Sequence, residues 1–214
     1  MVNRLCNPED VRKKIGLSVD EAPDETLYSH IDEAQKDLLR DVANLIEDEV
    51  LSGSIDGSNN TFSTAEVYIA DRNFDNTVTA SDVYVYAWTN SEDPYTKSSV
   101  AVSTVYSNNG KVVLTTAPST SVTQITADYY HYTSPIDKGL MQEACAYLAA
   151  YYFAQREILL MPQQWMHGAY RFMKSSEYKS LLTEYYKKVD RLTGVASYRG
   201  EHGSVELLRS DDNL

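Results

Sequence analysis

Acidic and amide side chains recur at close spacing in the stretch D-R-N-F-D-N-T-V-T-A-S-D, from residue 71 to residue 82. A calcium loop of the EF-hand type requires oxygen ligands at alternating positions, then a tight turn, a backbone carbonyl and a closing carboxylate. The residues at the ligand positions here are Asp71, Asn73, Asp75, Thr77 through its carbonyl, and Asp82. The stretch is therefore a candidate calcium loop, and Ca²⁺ is the one cofactor candidate in a chain that we expect to require none.

Two positions of this candidate loop depart from the EF-hand pattern. Asn76 replaces the usual glycine, although asparagine tolerates a left-handed turn better than most residues. Asp82 replaces the usual glutamate and has a shorter reach. The alternative is an Asp- and Asn-rich turn that needs no ion, because such side chains form turns unaided.

The remaining residues that could do chemistry do not form a catalytic pattern. The histidines His30, His131, His167 and His202 fall in four separate segments. The sequence contains no zinc-binding His pair, no serine-nucleophile motif and no glycine-rich phosphate loop. We interpret each histidine as structural or solvated, and we expect no enzymatic activity.

Tyrosine is abundant, with 17 residues, and many tyrosines lie in strand-like segments. Strand alternation places Tyr84, Tyr86 and Trp88 on one face of a sheet. With Tyr106, Tyr129, Tyr130 and Tyr132, these rings could stack on sugars. A core or a protein interface needs the same side chains, and we favour that interpretation over sugar binding.

The elements that would carry these residues are strands. Residues 53–132 are rich in Thr, Ser, Val and Tyr, and strands are predicted at 66–70, 82–88, 99–106, 111–115 and 124–132. Asn109-Gly110 predicts a tight hairpin turn between two of them. The region therefore reads as a small antiparallel sheet or barrel.

Helical patterns flank this β-region on both sides. A long, mostly apolar segment runs from Pro135 to Met161, with apolar residues on several faces, and predicts a central buried helix. Other helices are predicted at 7–16, from Asp24 to about Val50, and at 175–194. The predicted fold is α+β: a bundle of about four helices, interrupted by an inserted small antiparallel β-domain.

The predicted organisation has three parts: a helical domain from 1–52 and 133–194, an inserted β-domain at 53–132, and an extended C-terminal tail at 195–214. The tail carries apolar residues that would be costly to leave in water and that favour docking on another protein. These residues are Tyr198, Val205, Leu207 and Leu208.

Composition narrows the function classes. The net charge of −12 disfavours wrapping of nucleic acid. The two cysteines, Cys6 and Cys145, do not suggest a disulfide framework. No signal peptide or membrane span is recognisable, so we expect a soluble protein made in the cytoplasm, without membrane contact.

Three segments of the chain point to one protein family. The first is the opening N-P-E-D-V-R-K-K-I-G-L-S-V-D-E-A-P-D-E-T-L-Y-S-H-I-D-E-A. The second comprises I-D-G-S-N-N-T-F-S-T, D-R-N-F-D-N-T-V-T-A-S-D-V-Y-V-Y, G-K-V-V-L-T-T-A-P and A-D-Y-Y, and the third is E-A-C-A-Y-L-A-A-Y-Y-F. Together they resemble the head–tail connector (adaptor) proteins of tailed bacteriophages and related proviruses: the second is similar to the β-insert of some connector and neck proteins, and the third to the family's buried central helix. The β-insert is larger here than in the all-helical members.

The resemblance implies a structural virion protein at the capsid vertex, in the neck of the particle. Connector subunits form a ring, usually of twelve copies, under the portal protein. Their C-terminal tails grip the portal, and the ring prolongs the DNA channel toward a neck or tail-completion protein. DNA passes without sequence recognition. Two alternatives stay open: a stopper or tail-completion role, and a carbohydrate- or receptor-binding virion module that uses the β-insert.

Overall fold

A computed structural model of the chain describes residues 3–89, 96–158 and 178–194. The described helices are α1 (Pro8–Ile15), α2 (Asp24–Val42), α3 (Lys138–Phe153) and α4 (Tyr178–Thr193). The strands are β1 (Asn44–Val50), β2 (Thr61–Ser63), β3 (Val83–Thr89), β4 (Thr96–Val100), β5 (Val102–Tyr106), β6 (Lys111–Leu114) and β7 (Val122–His131). The predicted α+β fold, with four helices and antiparallel sheets, is confirmed.

Local sequence accounts for the start of the helical unit. The side chain of Asn7 caps α1 by accepting the N–H of Asp10, whose carboxylate accepts the N–H of Asn7 in return. Gly16 ends the helix in the left-handed conformation, at φ 67°. Both features agree with the helix predicted at 7–16.

Helix α3 is the centre of the helical core. Its buried residues lie on several sides: Met141, Ala144, Cys145, Ala146, Leu148, Ala149, Ala150 and Phe153. The predicted buried helix is thus confirmed, but it begins at Lys138 and not at Pro135, because the side chain of Asp137 caps it through the N–H groups of Gly139 and Leu140. After Phe153 the chain continues as a π-helical turn, Ala154–Ile158. Among the described residues, no helix is both long and apolar enough to cross a bilayer.

The predicted extension of the second helix to Val50 is wrong. Helix α2 ends at Val42, Ala43 is extended, and the chain enters β1, which pairs antiparallel with β7. Pairing with a strand some eighty residues later overrides the helical spacing of the local apolar residues. The β-unit therefore contains residues that precede the predicted boundary at residue 53.

The strands form two antiparallel sheets with a shared core. The first sheet has the order β1-β7-β3-β4 and the second has the order β2-β6-β5. The predicted strand at 99–106 is divided at Ala101, so that β4 joins the first sheet and β5 the second. The predicted strand at 66–70 does not form, and only Ile69 makes an isolated bridge, to His131.

The other strand predictions agree with β3, β6 and β7 within two residues. The hairpin predicted at Asn109-Gly110 joins β5 to β6, with Gly110 at φ 64°. Between the sheets, Phe62, Val85, Val112, Leu114, Ile125 and Tyr129 are among the buried side chains. The segment between β2 and β3 also contributes to the core of the helical unit, because Ala70 and Phe74 are buried among the helices.

Candidate functional sites

The candidate calcium loop is closed around Asp82, whose side chain is completely buried. One carboxylate oxygen of Asp82 accepts the N–H groups of Arg72, at 2.8 Å, and of Asn73, at 3.3 Å. The other oxygen accepts the N–H of Thr79 at 2.8 Å. This carboxylate therefore joins the beginning of the loop to the short 3-10 turn that precedes β3, and both of its oxygens have protein donors.

The other oxygen donors of the loop also accept backbone N–H groups. Asp71 accepts the N–H of Asn76 at 2.6 Å, and Asn73 accepts that of Asp75 at 2.9 Å. The carboxylate of Asp75 accepts the N–H of Thr77 at 2.9 Å. Asn76 takes the left-handed conformation at φ 72°, as expected for the residue at the glycine position. The sequence spacing thus brings all five predicted ligand residues into one compact turn.

Charge in this turn is concentrated on neighbouring carboxylates. Burial raises the pKa of Asp71, the N–H of Asn76 opposes that shift, and the nearby charges of Asp82 and Asp75 raise the pKa further. A cation would relieve this repulsion, and Asp71, Asn73, Asp75 and the Thr77 carbonyl are the residues that would hold it. Asp82 fits less well, because its oxygens already serve N–H groups.

Within the described part of the chain, no group of three or more His, Cys, Asp or Glu side chains is arranged to hold a metal ion. A group of that kind contains no amide or carbonyl ligand, whereas the candidate loop would use the Asn73 amide and the Thr77 carbonyl. The calcium site therefore stays a prediction, and the loop has a structural role of its own through Asp82.

The loop lies at the junction of the two cores. Phe74 is buried among the helices, and the Lys138 ammonium at the start of α3 donates to the Asn76 carbonyl at 2.6 Å. A cleft of about 460 Å³ opens beside it, lined by residues that include Asp71, Thr77, Tyr132 and Met141. The loop therefore couples the β-unit to α3.

The aromatic residues of β3 do not belong to the core. Val83, Val85 and Ala87 face the core between the sheets, so that Tyr84, Tyr86 and Trp88 lie on the opposite side. Antiparallel pairing adds Tyr130 of β7 and Leu45 and Val50 of β1 to the same side. We call this surface the outer aromatic face; Leu45, Val50 and Tyr84 are 47%, 58% and 45% exposed.

Cationic side chains lie over the rings of the outer aromatic face. The Lys97 ammonium is 4.0 Å from the ring centre of Tyr86 and 5.5 Å from that of Trp88. The Arg72 guanidinium is 4.8 Å from the ring centre of Tyr84. Lys97 also forms an ion pair with Asp48, whose hydrogen bond raises the pKa of Lys97. The face thus combines apolar rings with charged groups of both signs.

The other tyrosines and the histidines are dispersed. Tyr129 and Tyr132 are buried, and Tyr106 is exposed on the second sheet. His30 is buried beside Phe153 of the helical core, and His131 is buried beside Tyr129 of the β-core. Burial lowers the pKa of His30. His167 and His202 lie outside the described residues, as do the predicted docking residues of the tail, Tyr198, Val205, Leu207 and Leu208.

Two features of the folded chain escaped the sequence interpretation. The outer aromatic face extends to β1, which the sequence pattern assigned to a helix. The thiols of Cys6 and Cys145 are in contact, although 139 positions separate them.

Comparison with protein-family models, with curated proteins and with solved structures finds no match to this chain.

Proposed function

We propose that the protein is a head–tail connector (adaptor) of a tailed bacteriophage or provirus. In this role it forms a ring between the portal at the capsid vertex and a neck or tail-completion protein, and the resemblance implies twelve copies in that ring. The protein is made in the host cytoplasm and acts in the virion. The observation that carries the proposal is the order of elements: α1 and α2 share one core with α3 and α4, and an antiparallel β-unit is inserted between them.

That arrangement agrees with what the resemblance of the three quoted segments implies. Helix α3 is enclosed by its neighbours, and on this proposal the exposed side chains of the outer aromatic face contact neighbouring subunits. Tyrosine and exposed apolar side chains are favoured in such contacts. The net charge of −12 suits a channel wall that DNA passes without adhering.

In this proposal the portal is gripped by the tail at 195–214. Burial of Leu207 and Leu208 on a partner would contribute roughly 1.5–3 kcal/mol each, before the cost of ordering the tail. Repetition of this contact around a ring would make attachment much stronger than a single tail allows. A stopper or tail-completion protein would instead bind an existing connector ring.

A truncation after Gly194 tests the portal contact. In this proposal the tail docks on the portal and not on its own domain, so the truncated protein should melt near the full-length temperature. It should no longer cosediment with portal rings, whereas the full-length chain should. The double variant Leu207→Ser/Leu208→Ser is a milder version of the same test, and Arg209→Ser is its control. Unchanged portal binding by the truncated protein would place the contact elsewhere.

A second candidate function is binding of carbohydrate by the outer aromatic face. The half-exposed ring of Tyr84, beside the partly buried rings of Tyr86 and Trp88, favours it, because sugars stack on such rings. Glycan-array binding that is lost in Tyr84→Ala and kept in Tyr106→Ala would support this role, since both tyrosines are about half exposed but lie on different sheets. Absence of glycan binding by the full-length chain would exclude it.

A further inference from the structure

The two cysteines of the chain meet inside the helical core. Cys6 directly precedes Asn7, the residue that caps α1, and Cys145 lies in the middle of α3. Their Sγ atoms are 3.5 Å apart. Cys6 is 5% exposed and Cys145 is completely buried, and both are free thiols. A contact of this kind between the only two cysteines of a chain is a specific juxtaposition and not a consequence of local sequence.

We propose that Cys6 and Cys145 form an intramolecular disulfide when the protein meets a peroxide oxidant. This inference rests on the thiol contact and does not depend on the proposed function. A disulfide requires an S–S distance of about 2.05 Å, so the sulfur atoms must approach by about 1.5 Å. Cys6 can supply this movement, because it lies in the segment before α1 and not within a helix.

The segment that carries Cys6 is held in place from the other side. Arg4 pairs with Asp32 of α2 at 2.7 Å, and Gln35 of α2 accepts the N–H of Leu5 and donates to the Asn3 carbonyl, each at 3.2 Å. These contacts keep the Cys6 sulfur close to α3, so the two thiols remain neighbours. A disulfide would add a covalent tie from the same segment to α3.

The chemistry needs an oxidant and is balanced by hydrogen peroxide. The Cys6 thiol loses its proton, the thiolate attacks a peroxide oxygen, the O–O bond breaks, and Cys6 becomes a sulfenic acid while the leaving hydroxide takes up that proton as water. The Cys145 sulfur, after losing its proton, attacks the Cys6 sulfur and expels hydroxide, which takes up that proton as a second water. Two thiols are thereby oxidised and one peroxide is reduced to two waters. The contact with Cys6 and burial both raise the pKa of Cys145, so the second step is slow in the native fold.

Mass spectrometry of the full-length chain tests this assignment. The protein is purified with a reductant, exchanged into hydrogen peroxide, quenched with an alkylating agent and digested without reduction, while free glutathione is treated in a parallel tube as the standard. We expect a Cys6–Cys145 cross-linked peptide and an intact mass lower by two hydrogens. Because the bond would close a loop of more than a hundred residues, the melting temperature should rise by about 10 °C and return on reduction.

The single variants Cys6→Ser and Cys145→Ser serve as matched controls. Neither should show the rise in melting temperature after peroxide, and in Cys6→Ser the buried Cys145 should remain alkylatable only after unfolding. The proposal is overturned if the wild-type pair stays reduced while the glutathione standard is fully oxidised. It is also overturned if peroxide gives only sulfinic acid or cross-linked dimers. The wild-type measurement decides even if a serine variant does not fold.

Discussion

Replacing Asp82 by asparagine should destabilise the protein more than any other single change of that type in the loop. The substitution keeps the size of the side chain and one of its two acceptor oxygens, as the amide oxygen. That oxygen can still accept from Arg72 and Asn73, but the new amide group faces the N–H of Thr79, which is 2.8 Å away from the oxygen it replaces. Two N–H donors then oppose each other inside a completely buried site, where the Thr79 hydroxyl, 3.3 Å from the replaced oxygen, is the group that can accept from the amide.

The expected cost follows from these contacts. The lost hydrogen bond to a charged acceptor is worth about 1.5–3 kcal/mol, and the two retained bonds become neutral ones of about half their strength. Asparagine is cheaper to bury than a carboxylate, which offsets part of the loss. We expect a net decrease of about 2–4 kcal/mol in the free energy of unfolding. For a chain of this size, that corresponds to about 5–15 °C in the melting temperature.

Asp56→Asn is the matched control. Asp56 also caps a turn, with the N–H groups of Ser58 and Asn59 each at 2.8 Å, but both bonds go to the same oxygen and the residue is exposed. Asparagine can keep that oxygen, so this variant should unfold like the wild type.

The assay is urea denaturation followed by circular dichroism, with a chelator present so that loss of a bound metal does not contribute. Asp82→Asn should shift the midpoint to lower urea without changing the slope of the transition. Equal midpoints for Asp82→Asn and Asp56→Asn would refute the claim that Asp82 holds the loop together.

Three further predictions concern metal, pH and a turn. If the candidate loop binds calcium, Ca²⁺ at a hundred times its dissociation constant should add about 2.7 kcal/mol to the wild type but not to Asp75→Asn, and identical melts with calcium and chelator would exclude the site. Burial lowers the pKa of His30 below its usual 6.5, although the charge of Glu157 opposes that shift. Stability should therefore fall as the pH drops below about 6.5, where only the unfolded histidine takes up a proton. His30→Phe should reduce the difference between the urea midpoints measured at about pH 7.5 and about pH 5.5. Gly110→Ala should cost more than Gly16→Ala in thermal melts, since both have left-handed backbones but only at Gly110 would the new Cβ lie 2.2 Å from a neighbouring oxygen; equal costs would contradict this.

Features set by neighbouring residues could be predicted from the sequence. The capped helix between Asn7 and Gly16, the hairpin at Gly110 and the apolar circumference of α3 depend on contacts within a few residues. The spacing of the candidate calcium loop belongs to the same class. Its residues form one turn because Asp and Asn bind backbone N–H groups close to them in sequence, whereas the binding of calcium there stays a prediction.

Features set by distant residues could not be predicted in this way. Leu45 and Ile46 continue the apolar spacing of α2, and only pairing with β7 makes them part of a strand. The division at Ala101 depends on two sheets that recruit the halves of one strand-like run. Two further features are seen only in the folded chain. Asp82 accepts hydrogen bonds from both ends of its loop, and Cys6 contacts Cys145.

The most direct test of the proposed connector function is electron microscopy of the purified full-length protein mixed with the portal protein of the same phage or provirus. The connector account predicts closed rings of this chain stacked coaxially on portal rings, with a continuous central channel, and loss of the stacking after truncation at Gly194. Monomers that never assemble with the portal, or rings that bind only a separate connector ring, would contradict it.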